Sequence, residues 1–240
     1  GGKAQFLEQR CRSRRQACLR FDYSGHGQSH GRFEDGTIGR WAEEAVFMID
    51  HLTEGPQILV GSSMGGWIAL LAALHRPERV KGLLGIAAAP DFTREIWHER
   101  LSERQRKSLE KKGAVEIPND YDPSRPTVIT HNLITDGEER CLLDGAIPFA
   151  GSVRLLQGMQ DADVPWKKAF TIKNKLQSPD ARVYLIADGD HRLSRPQDLE
   201  TLDYALQDLN AALTSGPAPQ PPAHAVSCTM LMPSGYGGEV

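Results

Sequence analysis

The sequence predicts an α/β fold: a mostly parallel sheet with helices on both faces and an inserted helical cap. Short apolar runs at 57–61 (QILVG), 80–88 (VKGLLGIAA), 153–157 (VRLLQ) and 182–187 (RVYLIA) alternate with stretches of helical periodicity. Such alternation implies parallel strands joined by crossover helices. The run 57–61 is continuously apolar, as expected of a strand covered on both sides. A charged stretch at about 91–147 then breaks the rhythm before it resumes. An insertion there would sit over the carboxyl ends of the strands, where such sheets bind ligands.

Each element has its own signal. Residues 3–14 are polar with apolar Ala4, Phe6, Leu7 and Cys11, compatible with a helix. Residues 17–23 (ACLRFDY) read as a strand running into a turn at Ser24-Gly25-His26-Gly27. Trp41, Ala45, Met48, Ile49 and Leu52 have helical spacing within 38–52. A helix from about Gly65 to Leu74 stops before Pro77. Within the cap, the run 99–112 (ERLSERQRKSLEKK) reads as a solvated helix and 118–126 (PNDYDPSRP) as a loop. Helices are expected at 166–177 and 196–213. One domain spans 1–214, and the tail at 215–240, rich in Pro, Gly, Ser and Ala, is expected to be disordered.

Composition narrows the function. The 240 residues suffice for one sizeable core, and 40% hydrophobic with 25% charged residues is ordinary for a soluble globular chain. A net charge of −3 with no basic run argues against nucleic acid or anionic membrane as partner. No apolar run nears the ~20 residues that span a bilayer. Cys11, Cys18, Cys141 and Cys228 lack C-x-x-C spacing and read as free thiols. The glycine-rich turn at 24–27 lacks G-x-G-x-x-G, and no residues have metal-ligand spacing, so neither cofactor nor metal is expected.

Gly61-Ser62-Ser63-Met64-Gly65 fits G-x-S-x-G between an apolar strand and an apolar helix. A sharp strand-to-helix turn lifts the serine hydroxyl above the sheet and needs small neighbours, here Gly61 and Gly65. It also aims the helix's first N–H groups at a developing oxyanion, with the Met64 N–H as the first donor. Ser63 is thus the candidate nucleophile. Trp67 is expected in the core and Ser62 as packing support. A nucleophilic serine needs a base, and the base an orienting carboxylate, in chain order Ser, acid, His. His191 follows the strand RVYLIA in the turn Asp188-Gly189-Asp190-His191. His75, His98, His131 and His224 fall at a helix end, in the cap or in the tail. For the acid, Asp161 and Asp163 compete in the turn after 153–157. The G-x-x-D-x-x-V-P arrangement favours Asp161, with Asp163 expected to point elsewhere and support the loop. The constellation suits acyl transfer to a small-molecule or acylated-protein substrate.

The segments RFDYSGHGQSHG (20–31), TIGRWAEEAVFMIDHL (37–52), GPQILVGSSMGGW (55–67), LLQGMQDADVPW (155–166) and DGDHR (188–192) together resemble the α/β-hydrolases grouped with abhydrolase domain-containing protein ten. The resemblance covers roughly 3–213. It implies the α/β-hydrolase fold and the triad Ser63, Asp161 and His191. It also implies hydrolysis of acyl thioesters or carboxylic esters, of the palmitoyl-protein thioesterase or acyl-glucuronide esterase kind. It further implies that the earlier strands, including one between ACLRF and QILVG, and the loop giving a second oxyanion N–H precede Gly1. The sheet is then expected to have a gap at its centre, and a catalytically silent interaction protein is the alternative reading. The wording FEDGTIGRW looks bacterial and suggests a cytoplasmic location, with the mitochondrial matrix as the alternative.

Overall fold

The computed structural model describes residues 2–118, 124, 126–214 and 226–227. The main sheet contains β1 (Gln57–Ser62), β2 (Val80–Ile86), β5 (Ser152–Gly158), β6 (Ala181–Ile186) and β7 (Val226–Ser227), in the order β1-β2-β5-β6-β7. The first four are parallel, and β7 pairs antiparallel with β6. Around them lie α1 (Gly2–Ser13), α2 (Ile38–Leu52), α3 (Met64–His75), α7 (Lys167–Lys175) and α8 (Pro196–Thr214).

The parallel strands are mostly apolar because helices pack against both faces of the sheet. Neighbours such as Leu83 and Leu84, Leu155 and Leu156, or Val183 and Tyr184 divide between two cores. One core holds α2, α3 and α7, and the other holds α1 and α8. Successive side chains of a strand point to opposite faces, so a continuous apolar run supplies both layers. The helices expected at 3–14, 38–52, 65–74, 166–177 and 196–213 are all present within two residues of their expected ends.

The strand expected at 17–23 does not form. A strand exists only in a ladder, and among the described residues nothing pairs with the outer edge of β1. Phe21 and Tyr23 are instead held by side-chain packing against the core. The expected central gap is accordingly a free sheet edge, where Val60 is 39% exposed.

The segment expected as a cap does interrupt the βα alternation, but it is not all helical. α4 (Phe92–Glu95) runs into a π-helical turn at Ile96–Arg100, followed by α5 (Glu103–Lys112). An antiparallel pair, β3 (Ala114–Ile117) with β4 (Thr127–Thr130), leads into α6 (His131–Glu138). In α5 only Leu109 is buried, in keeping with a solvated helix. Most of the expected loop at 118–126 lies outside the described residues, as do His224, Cys228 and the tail apart from Val226–Ser227, which form β7.

Candidate active site

Ser63 sits between β1 and α3 with φ 53° and ψ −120°. A non-glycine residue in that region is strained, and such strain collects where a side chain must be presented at a sharp turn. The turn is tied down by its own backbone. The Ser63 N–H donates to the Ile86 carbonyl at 2.8 Å, and the Ser63 carbonyl accepts from Gly66 at 2.9 Å and Ala89 at 3.1 Å. A Cβ on Gly61 would overlap the Gly65 carbonyl, and one on Gly66 would meet the Ala88 Cβ. Gly65, expected to be small for steric reasons, has open space where a Cβ would stand. The crowding falls one residue later because Gly66, not Gly65, faces Ala88 on the loop after β2. Met64 opens α3, so its N–H is among the first helical donors, which have no intrahelical acceptor.

The three expected partners converge. His191 Nε2 lies 3.1 Å from Ser63 Oγ, and His191 Nδ1 lies 2.9 Å from Asp161 Oδ2. Asp161 Oδ1 accepts the N–H groups of Asp163 at 2.9 Å and Val164 at 2.8 Å, which fixes the carboxylate within its turn. Burial pushes the Asp161 carboxyl upward most strongly. The donors from His191, Val164 and Asp163 together outweigh it and hold the group below the usual carboxylate range.

The His191 loop is braced from behind. Arg195 forks onto Asp188 at 2.7 Å and onto the buried Asp198 at 2.8 Å, and Asp190 accepts the Leu193 N–H at 2.9 Å. That last bond commits one Asp190 oxygen to its own loop. Asp163 departs from expectation. Its carboxylate and the donor atoms of Asp161 and His191 all lie within 4.8 Å of one another. The turn is tight enough that residues two apart share a side. Three such groups are also the described side chains that could together approach a cation, but both Asp161 oxygens already accept N–H donors.

The cap is joined to this floor at several points. Asp91, at φ 64° and buried, accepts the N–H groups of Leu142 and Leu143 at 2.8 Å each. Glu95 pairs with Lys168 of α7, whose ammonium burial pushes down while the charge of Asp91 opposes it. Arg100 donates to the Asp163 carbonyl at 3.1 Å. Trp67 is fully buried, and its Nε1 donates to the Arg140 carbonyl beyond α6 at 3.2 Å. Asp22 supports its own loop through the Gln28 N–H. A surface cleft of about 720 Å³ between that loop and α2, lined by Phe21, His30, Glu43 and Phe47 among others, includes no member of the Ser63 cluster.

Two features escaped the sequence reading. Gln157, 1% exposed, donates from Nε2 to Asp161 Oδ2 at 2.8 Å. Its signal was an amide that follows two leucines at the end of a strand, directly before the acid turn. The Arg195–Asp198 brace had its signal in an acid three residues after an arginine at a helix start.

A family model described as the alpha/beta hydrolase fold matches residues 4–115. Palmitoyl-protein thioesterase ABHD10, mitochondrial, of Pongo abelii is 41% identical over 209 residues, covering 87% of this chain and 68% of the relative. The Homo sapiens protein of the same name is 40% identical over the same shares. Among solved structures, a putative hydrolase from Agrobacterium vitis S4 superposes with a TM-score of 0.83 at 41% identity, covering 87% of this chain and 82% of that one. Alpha/beta hydrolase domain-containing protein 10 from mouse gives 0.82 at 40%, covering 89% and 85%. Sequence and fold agree over most of the length, and the chain belongs to the α/β-hydrolase family.

Proposed function

We propose that the chain is a serine hydrolase of acyl thioesters or carboxylic esters, working through Ser63, His191 and Asp161. The observation that carries this reading is the unbroken path from Ser63 Oγ through the His191 ring to Asp161 Oδ2, at 3.1 and 2.9 Å. Asp161 accepts the Nδ1 proton, which leaves the Nε2 lone pair toward the serine. His191 takes the Ser63 proton as Oγ bonds to the acyl carbon, and the Met64 N–H donates to the oxyanion. The imidazolium then gives its proton to the departing thiolate or alkoxide, which leaves as the thiol or alcohol. Water, deprotonated by the same ring, releases the acid and restores Ser63.

Within that reaction class, the relatives named as palmitoyl-protein thioesterases support a long-chain acyl thioester as substrate. An acyl-glucuronide ester is the second substrate class we propose. The word mitochondrial in those names favours the mitochondrial matrix over the cytoplasm. No helix among the described residues is long and apolar enough to cross a membrane. Among the described residues nothing pairs with the outer edge of β1, the strand that leads to Ser63, and this favours the second reading, a catalytically silent interaction protein. One experiment separates the two. A fluorophosphonate probe should label wild type and not Ser63→Ala, and palmitoyl-coenzyme A should be cleaved only by wild type. Equal labelling of the two proteins, or none of either when folded, would remove the hydrolase reading.

A further inference from the structure

We propose that Gln157 is a positioning residue that sets how strongly Asp161 holds the imidazole ring of His191. This deepens the hydrolase reading and rests on it. Gln157 is the penultimate residue of β5, in register with Leu185 of β6, and its side chain lies under the acid turn. Its Nε2 donates to Asp161 Oδ2 at 2.8 Å and to the Val164 carbonyl at 3.1 Å. Both partners are acceptors, which fixes the amide with its nitrogen toward the carboxylate. One amide therefore bridges the two sides of the turn that carries Asp161.

The oxygen it reaches is the one that matters. Oδ2 also accepts from His191 Nδ1 at 2.9 Å, while Oδ1 is taken by the Asp163 and Val164 N–H groups. The Gln157 proton and the His191 proton thus share one oxygen. A second donor there withdraws negative charge from the bond to the ring, so the imidazolium formed during acyl transfer is held less tightly. It also keeps the carboxylate from turning its other lone pair to the ring. The titratable and charged groups on the flanking segments include His191, Asp163 of the same turn, Arg100 of the cap, which reaches the Asp163 carbonyl, and Asp188, Asp190 and Arg195 of the His191 loop. At 1% exposure, water cannot replace the amide.

The test is the pH profile of kcat/KM for an acyl ester, measured for wild type, Gln157→Met and Gln157→Glu. Methionine keeps the volume and removes the donor. The acid limb, which reports protonation of the base, should move up by roughly half to one pH unit, the size expected when a carboxylate loses one hydrogen bond. The plateau should fall about tenfold, on the same scale. Glutamate keeps the shape should methionine fail to fold. Two carboxylates in contact share one proton, so the loss of that proton puts a second charge beside the ring and adds a pH step to the profile that wild type lacks. A limb unmoved in the folded variants, with only thermal stability lowered, would reduce Gln157 to a structural role. Wild-type activity that survives Ser63→Ala would instead overturn the hydrolase reading, whatever Gln157 does.

Discussion

At the scale of single residues, what distinguishes the Ser63 cluster is how fully its carboxylate is engaged, with two donors on each oxygen of Asp161. Asp161 accepts four N–H donors, from His191, Gln157, Asp163 and Val164, and can give the ring only an acceptor. Asp161→Asn replaces that acceptor with an amide able to favour the wrong imidazole tautomer. Its kcat should fall by about 10⁴, as in triads of this kind, with KM little changed. A loss below tenfold in steady-state hydrolysis would mean that Asp163, also close to the ring, serves as the working acid. The same carboxylate should register in stability. Its folded-state titration lies below the unfolded value, so its contribution is full above roughly pH 4 and is lost as pH falls through the lower folded value. Urea unfolding of wild type and Asp161→Asn should therefore differ most near neutrality and converge in acid. A constant gap between the two curves from pH 7 to pH 3 contradicts that linkage.

At the scale of elements, the elbow and the cap each depend on a contact that periodicity does not encode. The order β1, elbow, α3 was legible because an apolar run, a G-x-S-x-G and a second apolar run adjoin in sequence. Gly61 was legible as a required small neighbour, but Gly66 on the helix side was not, because its neighbour is Ala88, on the loop after β2. Gly66→Ala should lower stability by about 1–3 kcal/mol, the range for overpacking, whereas Gly65→Ala should stay within about 0.5 kcal/mol or stabilise slightly through helix propensity. Thermal melts of the two variants check this, and a reversed order would show that the crowding lies elsewhere. The cap has its own clasp in Asp91, which binds the backbone at Leu142 and Leu143 and so joins the start of the insertion to its end. Asp91→Ala leaves two N–H donors without their acceptor, at about 1–3 kcal/mol each. Proteolysis should then cut within 91–147 before the sheet domain is attacked. Cleavage of both regions at one rate would deny the clasp its local role.

At the scale of the whole molecule, the sequence revealed what is local and missed what is paired. The four parallel strands were readable because helices cover the sheet on both sides, which writes short runs rich in apolar residues. Residues 17–23 carry a similar run yet form no strand, because a ladder needs a neighbour and composition does not supply one. The short β3–β4 pair was hidden for the converse reason: its residues are half-buried and its pairing is tertiary. The candidate triad was readable because each member ends a recognisable element, whereas Gln157 acts within one. The same distinction places a charge cluster at the other end of the sheet. Arg154, fully buried on β5, pairs with Asp208 of α8 and reaches Asp180 at 3.0 Å. Asp208 also accepts from Arg182 and from the Tyr184 hydroxyl, each at 2.9 Å. Burial and the nearby Asp208 push that hydroxyl's titration up, so it remains a donor. Arg154 lies near the start of β5, while Asp161 follows that strand's end, so the cluster pins α8 to the sheet without touching the reacting groups. Removing one partner of a buried ion pair strands the other, at about 3–5 kcal/mol. Asp208→Ala should therefore lower the melting temperature by roughly 10 °C for a chain of this size. The protein that stays folded at low temperature should keep the wild-type kcat and fluorophosphonate labelling rate. A loss of kcat in that folded fraction would show that the two ends of the sheet are coupled.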